Sequence, residues 1–300
     1  MSVTVNRRRA IAGMLAAGSA AITRPADAVI ILDGTWRAEG GRPGREAAGF
    51  RAHEALAKQP QFAGVIPLST DGGEDWGVAS GTWLGNFGGN AWVLSAAHVF
   101  ERDDSVHDFV FRAPDGTVCE GTHLVRHPLF NGDNDVSTGY DVAMVRIKGP
   151  MHGGGQPPLL YGGDRELGMR AVMVGYGARG IGSVGQKPVY DGDSGAKAAA
   201  TNTIDEVMAM VLPPPKDEDR GNWLSVTFRR DSEGAGRLDG ILGSGDSGGS
   251  LWIQTATGWT IAGVNANATG ETYGARAYFA RVSGLRRWLS SILPGLRFIA

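Results

Sequence analysis

The residues Gly245-Asp246-Ser247-Gly248-Gly249 place a serine in a tight, glycine-flanked turn. Such a turn exposes the serine hydroxyl and lets nearby backbone N–H groups converge on one point. Acyl transfer needs this arrangement, because a nucleophile must lie beside a preorganised pocket for the oxyanion that forms. The motif predicts Ser247 as a nucleophile and the backbone N–H groups of Gly245 and Ser247 as an oxyanion hole.

The order of residues along the chain limits which fold can carry this serine. A Gly-x-Ser-x-Gly turn also occurs in α/β-hydrolases, in which the catalytic histidine follows the serine. All six histidines of this chain precede Ser247, so that order is excluded. The order histidine, aspartate, serine is met by His98 and Asp141, each on or beside an apolar segment with the pattern of a strand. His98 is predicted to be the general base, and Asp141 to fix its tautomer and stabilise the imidazolium.

Five segments in this order resemble the trypsin/chymotrypsin-type serine protease family. Three of them resemble that family's histidine strand, aspartate strand and serine loop, and two resemble its glycine-aromatic-glycine strand and its closing strand. These segments are, in turn, Trp92–His98, Asp141–Met144, Gly245–Gly249, Gly175–Gly177 and Tyr278–Val282. The resemblance runs from about Phe62 to Leu293. Cys119 is the only cysteine, which excludes an intramolecular disulfide and indicates a bacterial, disulfide-free member whose barrels are held by packing alone.

The resemblance implies an all-β fold of two six-stranded antiparallel Greek-key barrels and a C-terminal helix. A content of 47 glycines and many short apolar runs are consistent with that class. The expected boundaries are an N-terminal extension at 29–61 and a peptidase domain at 62–300, in which barrel one spans about 62–150, barrel two about 165–282 and the helix 283–293. Within 44–58 the spacing predicts an amphipathic helix with His53 on the surface.

Asp246 has a separate role in the family, where this aspartate pairs with the free N-terminus that cleavage creates and so orders the oxyanion loop. Cleavage after Ala28 exposes Val29-Ile30, an apolar start that can insert into the protein. The stretch from Val29 to the strand at Gly81 is longer than the family usually has, so an internal group is an alternative partner for Asp246.

Four residues are expected to line the substrate pocket. Ile241 lies where trypsin-like enzymes carry the aspartate that binds lysine or arginine, and Ala268 and Ala277 fall at its walls. Ala266 lies where the family usually has serine. An apolar floor at Ile241 favours an uncharged, hydrophobic substrate side chain, because a buried cation without a partner is costly.

The first 28 residues predict an export signal. A basic Arg7-Arg8-Arg9 precedes the mostly apolar run 10–22, and Ala26-Asp27-Ala28 fits an A-x-A cleavage site. The paired arginines also fit a twin-arginine signal. We therefore expect a secreted or periplasmic protein with no membrane association after cleavage; the alternative is a disordered or weakly helical leader.

The resemblance implies a protein or peptide as the substrate, and we expect a monomer. A net charge of −2 provides no general attraction to nucleic acid. His107, His123 and His127 lack the close spacing of metal ligands. The loop 131–135 lacks the closing glutamate of an EF-hand, which favours a solvated turn over a calcium site. Neither a metal nor a cofactor is expected.

These observations together predict a secreted serine endopeptidase that acts through His98, Asp141 and Ser247 and an acyl-enzyme. The alternative is a non-catalytic protease homologue that binds peptides or protein partners. Such homologues usually lose a triad residue, whereas this chain retains all three together with Gly245.

Overall fold

The computed structural model describes residues 29–100, 106–130, 132, 139–191, 196–208 and 222–300. The predicted export signal, and the loop 131–135 apart from Gly132, lie outside these residues. Within them strands predominate, which confirms the all-β class, and no helix is long and apolar enough to cross a membrane. The α-helices of the described residues are α1 Asp33–Ala38, α2 Arg51–Ala57 and α3 Arg286–Ile292.

The first half of the chain forms a closed six-stranded barrel, in the order β2-β3-β4-β7-β6-β5. Its strands β4 and β7 are antiparallel, and Ser95 at the end of β4 pairs with Ala143 at the start of β7. This register brings the residues just after β4 close to those just before β7, where His98 and Asp141 lie. The strands of this half, with β1 preceding the barrel, are β1 Ile30–Ile31, β2 Val65–Ser69, β3 Ala79–Phe87, β4 Asn90–Ser95, β5 Val110–Arg112, β6 Val118–Arg126 and β7 Ala143–Ile147.

The second half, where the sequence predicts the second barrel, forms a curled, half-barrel sheet of nine strands. Its strands are β8 Leu159–Tyr161, β9 Arg170–Gly175, β12 Ala198–Thr203, β13 Glu206–Met208, β14 Trp223–Thr227, β16 Ser250–Thr255, β17 Gly258–Ala268, β18 Arg276–Arg281 and β19 Phe298–Ile299. The main path is β12-β9-β16-β17-β18-β14-β13. The long strand β17 also pairs with β8, and β8 pairs with β19, so the sheet branches at β17.

Strand β1 belongs to a smaller, four-stranded sheet, whose other strands come from the second half of the chain. In the order β11-β10-β1-β15, β1 is parallel to β10 and antiparallel to β15. The three partner strands are β10 Gly180–Ile181, β11 Gly185–Gln186 and β15 Gly240–Ile241. Residues 29–31 are therefore part of the sheet framework.

The N-terminal extension packs on the outer side of β12. The predicted helix at 44–58 is divided into a short 3₁₀ helix, Glu46–Phe50, and α2. The prediction that His53 lies on the surface is wrong, because its side chain is completely buried and Nδ1 lies 2.8 Å from the carbonyl oxygen of Ala199. The small side chains of 198–200 leave room for the ring, and burial lowers the pKa of His53 to about 4.

A shared hydrophobic core joins the two halves. It combines Leu94 and Met144 from the first barrel with Val174 and Val264 from the second sheet, and Leu289 of α3 packs into the same cluster. The functional groups described next lie where these two halves meet.

Candidate active site

His98 and Asp141 form a two-point contact at one end of the first barrel. The ring Nδ1 of His98 lies 2.6 Å from Asp141 Oδ2, and the backbone N–H of His98 donates to Asp141 Oδ1 at 2.9 Å. The Asp141 side chain is only 6% exposed, and a buried carboxylate of this kind requires such partners. Because His98 contacts both carboxylate oxygens of Asp141, the orientation of the imidazole ring is fixed, and Nε2 is left as the nitrogen that can accept a proton.

Ser247 lies opposite that nitrogen. Its Oγ is 2.9 Å from His98 Nε2, although the two residues come from different halves of the molecule. The serine turn is attached to the first barrel through β3, because the Ser80 N–H donates to the Ser247 carbonyl at 2.8 Å. The Ser80 hydroxyl also donates to the carbonyl oxygen of Gly245 at 3.0 Å. A hydroxyl, an imidazole and a carboxylate thus stand in line.

The turn before Ser247 leaves two N–H groups available. Gly245 has a φ of 93°, and a β-carbon added there would lie 2.3 Å from the Gly77 carbonyl oxygen, so only glycine fits. Among the described residues, no protein acceptor receives the N–H of Gly245 or of Ser247. Two unpaired donors beside a serine hydroxyl are the arrangement that binds a developing oxyanion.

Asp246 is completely buried on the opposite side of this turn. Its Oδ2 accepts the backbone N–H groups of Val29 at 3.2 Å and Gly243 at 2.8 Å, and its Oδ1 accepts that of Gly177 at 3.0 Å. Burial raises the pKa of Asp246 to about 6, and the three hydrogen bonds only partly offset that effect. The sequence left open two kinds of partner for Asp246, and both Val29, which follows the predicted cleavage site, and internal backbone groups are in contact with it.

Val29 itself adopts an unusual backbone conformation. Its φ is 66°, and it is the one non-glycine residue with positive φ in the described part of the chain. A β-branched residue in the left-handed region is strained, because its side chain crowds the backbone.

The structure brings together three of the four predicted pocket residues. Ile241, Ala268 and Ala277 belong to one hydrophobic cluster, and Ala268 pairs with Ala277 between β17 and β18. Ala266 lies instead in the cluster between the two halves. Ile241 and Ala277 are completely buried, and Ile241 pairs with Ile30 of β1. Ile241, the predicted pocket floor, is thus paired directly with β1.

Sequence reasoning missed a contact beside the oxyanion donors. The side-chain amide of Gln186 donates through Nε2 to Ser244 Oγ at 3.0 Å and accepts the Ser244 N–H at 3.0 Å through Oε1. The carbonyl of Ser244 accepts the Ala178 N–H at 2.6 Å. No motif surrounds Gln186, so only the fold reveals this pair.

The histidines examined for metal binding do not come together. His127 stacks on Tyr140 with 4.4 Å between ring centroids and also packs against Trp288. Within the residues that the structure describes, no group of three or more His, Cys, Asp or Glu side chains is arranged to hold a metal ion.

Comparison with known proteins gives matches of two kinds, one to a family model and one to solved structures. The trypsin family model matches residues 79–222, a stretch that includes His98 and Asp141 and ends before Ser247. Among solved structures, the chain is similar to neuropsin, a serine protease expressed in the limbic system of mouse brain, with a TM-score of 0.56 and 14% sequence identity over 79% of this chain and 95% of neuropsin. No curated protein matches the chain in sequence. The structural match confirms the chymotrypsin-like fold.

Proposed function

We propose that this chain, whose residues 79–222 match the trypsin family model, is a serine endopeptidase that acts through an acyl-enzyme. The observation that carries the proposal is the line of contacts from Asp141 through His98 to Ser247, beside two unpaired N–H groups. A serine hydroxyl is a weak nucleophile and needs a base in contact, which His98 provides.

Each step of the reaction follows from this geometry. Ser247 Oγ attacks the substrate carbonyl carbon while its proton moves to His98 Nε2, and the carbonyl oxygen becomes an oxyanion bound by the N–H groups of Gly245 and Ser247. The C–N bond then breaks, and His98 returns the proton to the leaving amine. Water repeats the sequence on the acyl-enzyme and releases the new carboxyl end. Asp141 stabilises the imidazolium in both halves of the reaction.

Labelling with a fluorophosphonate tests this proposal. The reagent forms a covalent bond only with an activated serine, so the wild type should label and Ser247→Ala should not. The chain contains a matched control, because Gly192–Gly195 repeats the sequence Gly-Asp-Ser-Gly, and Ser194→Ala should label like the wild type. Absence of labelling and of peptide hydrolysis in the wild type would instead support the non-catalytic peptide-binding alternative.

The same proposal includes export and cleavage after Ala28, which gives a secreted or periplasmic enzyme that begins at Val29. Two observations support it. A residue at the chain start has no preceding peptide, so the strain at Val29 disappears on cleavage. The new α-ammonium also places a positive charge beside the buried Asp246 carboxylate, which lies 3.2 Å away and lacks a charged partner among the described residues.

Two engineered chains test the role of this end. One begins at Val29 and the other retains Ala28 as a single additional residue. We expect the chain with Ala28 to acylate at least about 10-fold more slowly, because its charged end cannot reach Asp246 and the oxyanion turn is less well ordered. Equal acylation rates would reject activation by cleavage.

Substrate preference belongs to the proposal as well. The apolar floor at Ile241 has no charge to pair with lysine or arginine, so we propose cleavage after uncharged, apolar residues. A profile of cleaved peptides tests this, and a strong preference for basic residues would reject it.

A further inference from the structure

The hairpin formed by β10 and β11 touches both the N-terminal segment and the oxyanion turn. At its second strand, Gln186 makes two hydrogen bonds with Ser244, the residue immediately before the oxyanion glycine. Ser244 is exposed, so packing does not hold it in place. Three hydrogen bonds hold Ser244 itself, these two and the one that its carbonyl accepts from the Ala178 N–H.

At the turn of the hairpin, Asp33 supplies the anchor. Its carboxylate accepts the Ser183 N–H at 3.0 Å and the Ser183 hydroxyl. It also accepts the Tyr273 hydroxyl at 2.6 Å, and the Asp33 N–H donates back to that hydroxyl at 3.0 Å. The Tyr273 N–H donates to the Gly182 carbonyl at 3.0 Å. Helix α1 is thus fixed to the tip of the hairpin.

We propose that Gln186 is a positioning residue for the oxyanion hole, and that Asp33 anchors the hairpin that carries Gln186. The inference rests on the proposed peptidase function and adds a second link between the N-terminal segment and the oxyanion turn, separate from Asp246.

The geometry of the Ser244–Gly245 peptide explains why this matters. In a trans peptide the carbonyl and the following N–H point in opposite directions, so the direction of the Ser244 carbonyl sets that of the Gly245 N–H. Glycine tolerates both orientations of this peptide, and nothing intrinsic to Gly245 prevents it from turning over. Fixing Ser244 from both its N–H and its hydroxyl therefore keeps the Gly245 N–H directed at the substrate oxygen.

The main test compares Gln186→Ala with Lys187→Ala, its exposed neighbour. We expect Gln186→Ala to lower kcat roughly 10-fold with KM changed less than about 2-fold, which is less than the ~100- to 1,000-fold cost of losing an oxyanion donor outright. Lys187→Ala should match the wild type. Thermal midpoints should be equal for all three proteins, and amide exchange of the segment 243–246, measured by mass spectrometry, should be faster only in Gln186→Ala.

Two further variants keep the result interpretable. Gln186→Glu retains an acceptor for the Ser244 N–H but loses the donor to Ser244 Oγ, so its kcat should lie between those of the wild type and Gln186→Ala. Asp33→Asn should lower kcat by a smaller factor. The double variant Asp33→Asn/Gln186→Ala should be less impaired than the product of the two single effects, because both act through one hairpin.

The outcomes separate this inference from the function on which it rests. Normal fluorophosphonate labelling of the wild type, with kcat and exchange in Gln186→Ala equal to those in Lys187→Ala, would overturn the positioning role and leave the peptidase proposal intact. Loss of kcat only in parallel with a lowered thermal midpoint across the Gln186 variants would also overturn it. An unlabelled wild type would reject both.

Discussion

The two sides of the candidate active site are built in different ways. The base side consists of His98 and Asp141, which follow β4 and precede β7 in one closed barrel and contact each other directly. The nucleophile side is the turn around Ser247, which Ser80 and Gln186 contact from outside and whose own Asp246 accepts the Val29 N–H. Two of these three residues are connected to residues 29–33. Asp246 accepts the Val29 N–H directly, and Gln186 belongs to the hairpin that Asp33 anchors.

This difference shows where the site can be controlled. Closure of the first barrel is sufficient to place the base beside its aspartate, because both residues belong to neighbouring strand ends. The oxyanion turn also depends on two contacts that each join residues more than 140 positions apart in sequence, Val29 with Asp246 and Asp33 with Ser183 of the hairpin. We therefore expect substitutions at residues 29–33 to alter the nucleophile side and to leave the base side intact.

The largest effect should follow removal of the base. His98→Ala is expected to lower kcat by about 10⁴-fold or more, because Ser247 then has no group to accept its proton. The exposed His152 provides a control, and His152→Ala should leave kcat unchanged. Near-normal peptide hydrolysis by His98→Ala, with the circular dichroism spectrum unaltered, would contradict the assignment of the base.

The base side was also the part that sequence reasoning could describe most fully. The strands that carry His98 and Asp141 have local apolar patterns, and their order along the chain excludes the α/β-hydrolase alternative. The contact of Val29 with Asp246 was one of two possibilities, because the sequence does not show how the long stretch between Val29 and Gly81 is used. The structure shows that α1, the 3₁₀ helix and α2 take up this length against the second half.

Other features depend on contacts that no local pattern records. His53 lies on a helix face that looks polar, yet the small residues of β12 accommodate its ring. Nothing in the sequence distinguishes Gln186 from the other glutamines, and only the folded hairpin places it beside Ser244. The branching of the second sheet follows from pairing of the short β8 with the long β17, and short strands carry little periodic signal.

On the nucleophile side, Asp246→Asn should lower the acylation rate by about 100- to 1,000-fold in the chain that begins at Val29. The amide removes the charge that attracts the α-ammonium, so the oxyanion donors lose their fixed position. Asp108→Asn is the control, because Asp108 is exposed and lies far from Asp246 in sequence, and it should acylate like the unmodified chain. Equal acylation rates for the two variants would mean that the turn is held without the charge of Asp246.

Within the second half, the cost of breaking an ion pair should depend on how deeply the pair is buried. The second half contains a fully buried ion pair, in which both Glu166 oxygens accept from Arg281 at 2.7–2.8 Å. Glu166→Gln leaves a buried guanidinium without its counter-ion and should lower the free energy of unfolding by about 3–5 kcal/mol. Glu206 pairs with Arg276 in the same sheet, but both side chains are partly exposed, so Glu206→Gln should cost less than about 1 kcal/mol. Similar denaturant midpoints for the two variants would show that burial does not govern these pairs.

The pH dependence of stability provides a smaller effect on the nucleophile side. In the uncleaved chain, burial raises the pKa of Asp246 from 3.8 to about 6, so the folded state binds more protons than the unfolded state between these values. This contribution to stability is present at low pH and is lost as pH rises through about 6. The difference in unfolding free energy between the uncleaved wild type and its Asp246→Asn variant should therefore fall from pH 4 to pH 7. A flat difference would contradict the raised pKa.

Close to the base side, the pH dependence of stability should have the opposite sign. Burial beside Tyr140 and Trp288 lowers the pKa of His127 from 6.5 to about 4. The folded state then binds fewer protons than the unfolded state, so stability rises with pH across this window and is lost as pH falls through about 4. His127→Phe keeps a ring on Tyr140 but loses the acceptor for the Leu129 N–H, so it should be slightly less stable at pH 7 and should lose less stability on acidification. The deciding quantity is the slope of the unfolding free energy against pH between pH 4 and pH 6.5, because the missing hydrogen bond lowers stability equally at every pH and does not change that slope. An unchanged slope in His127→Phe would mean that the pKa of His127 does not differ between the folded and unfolded states.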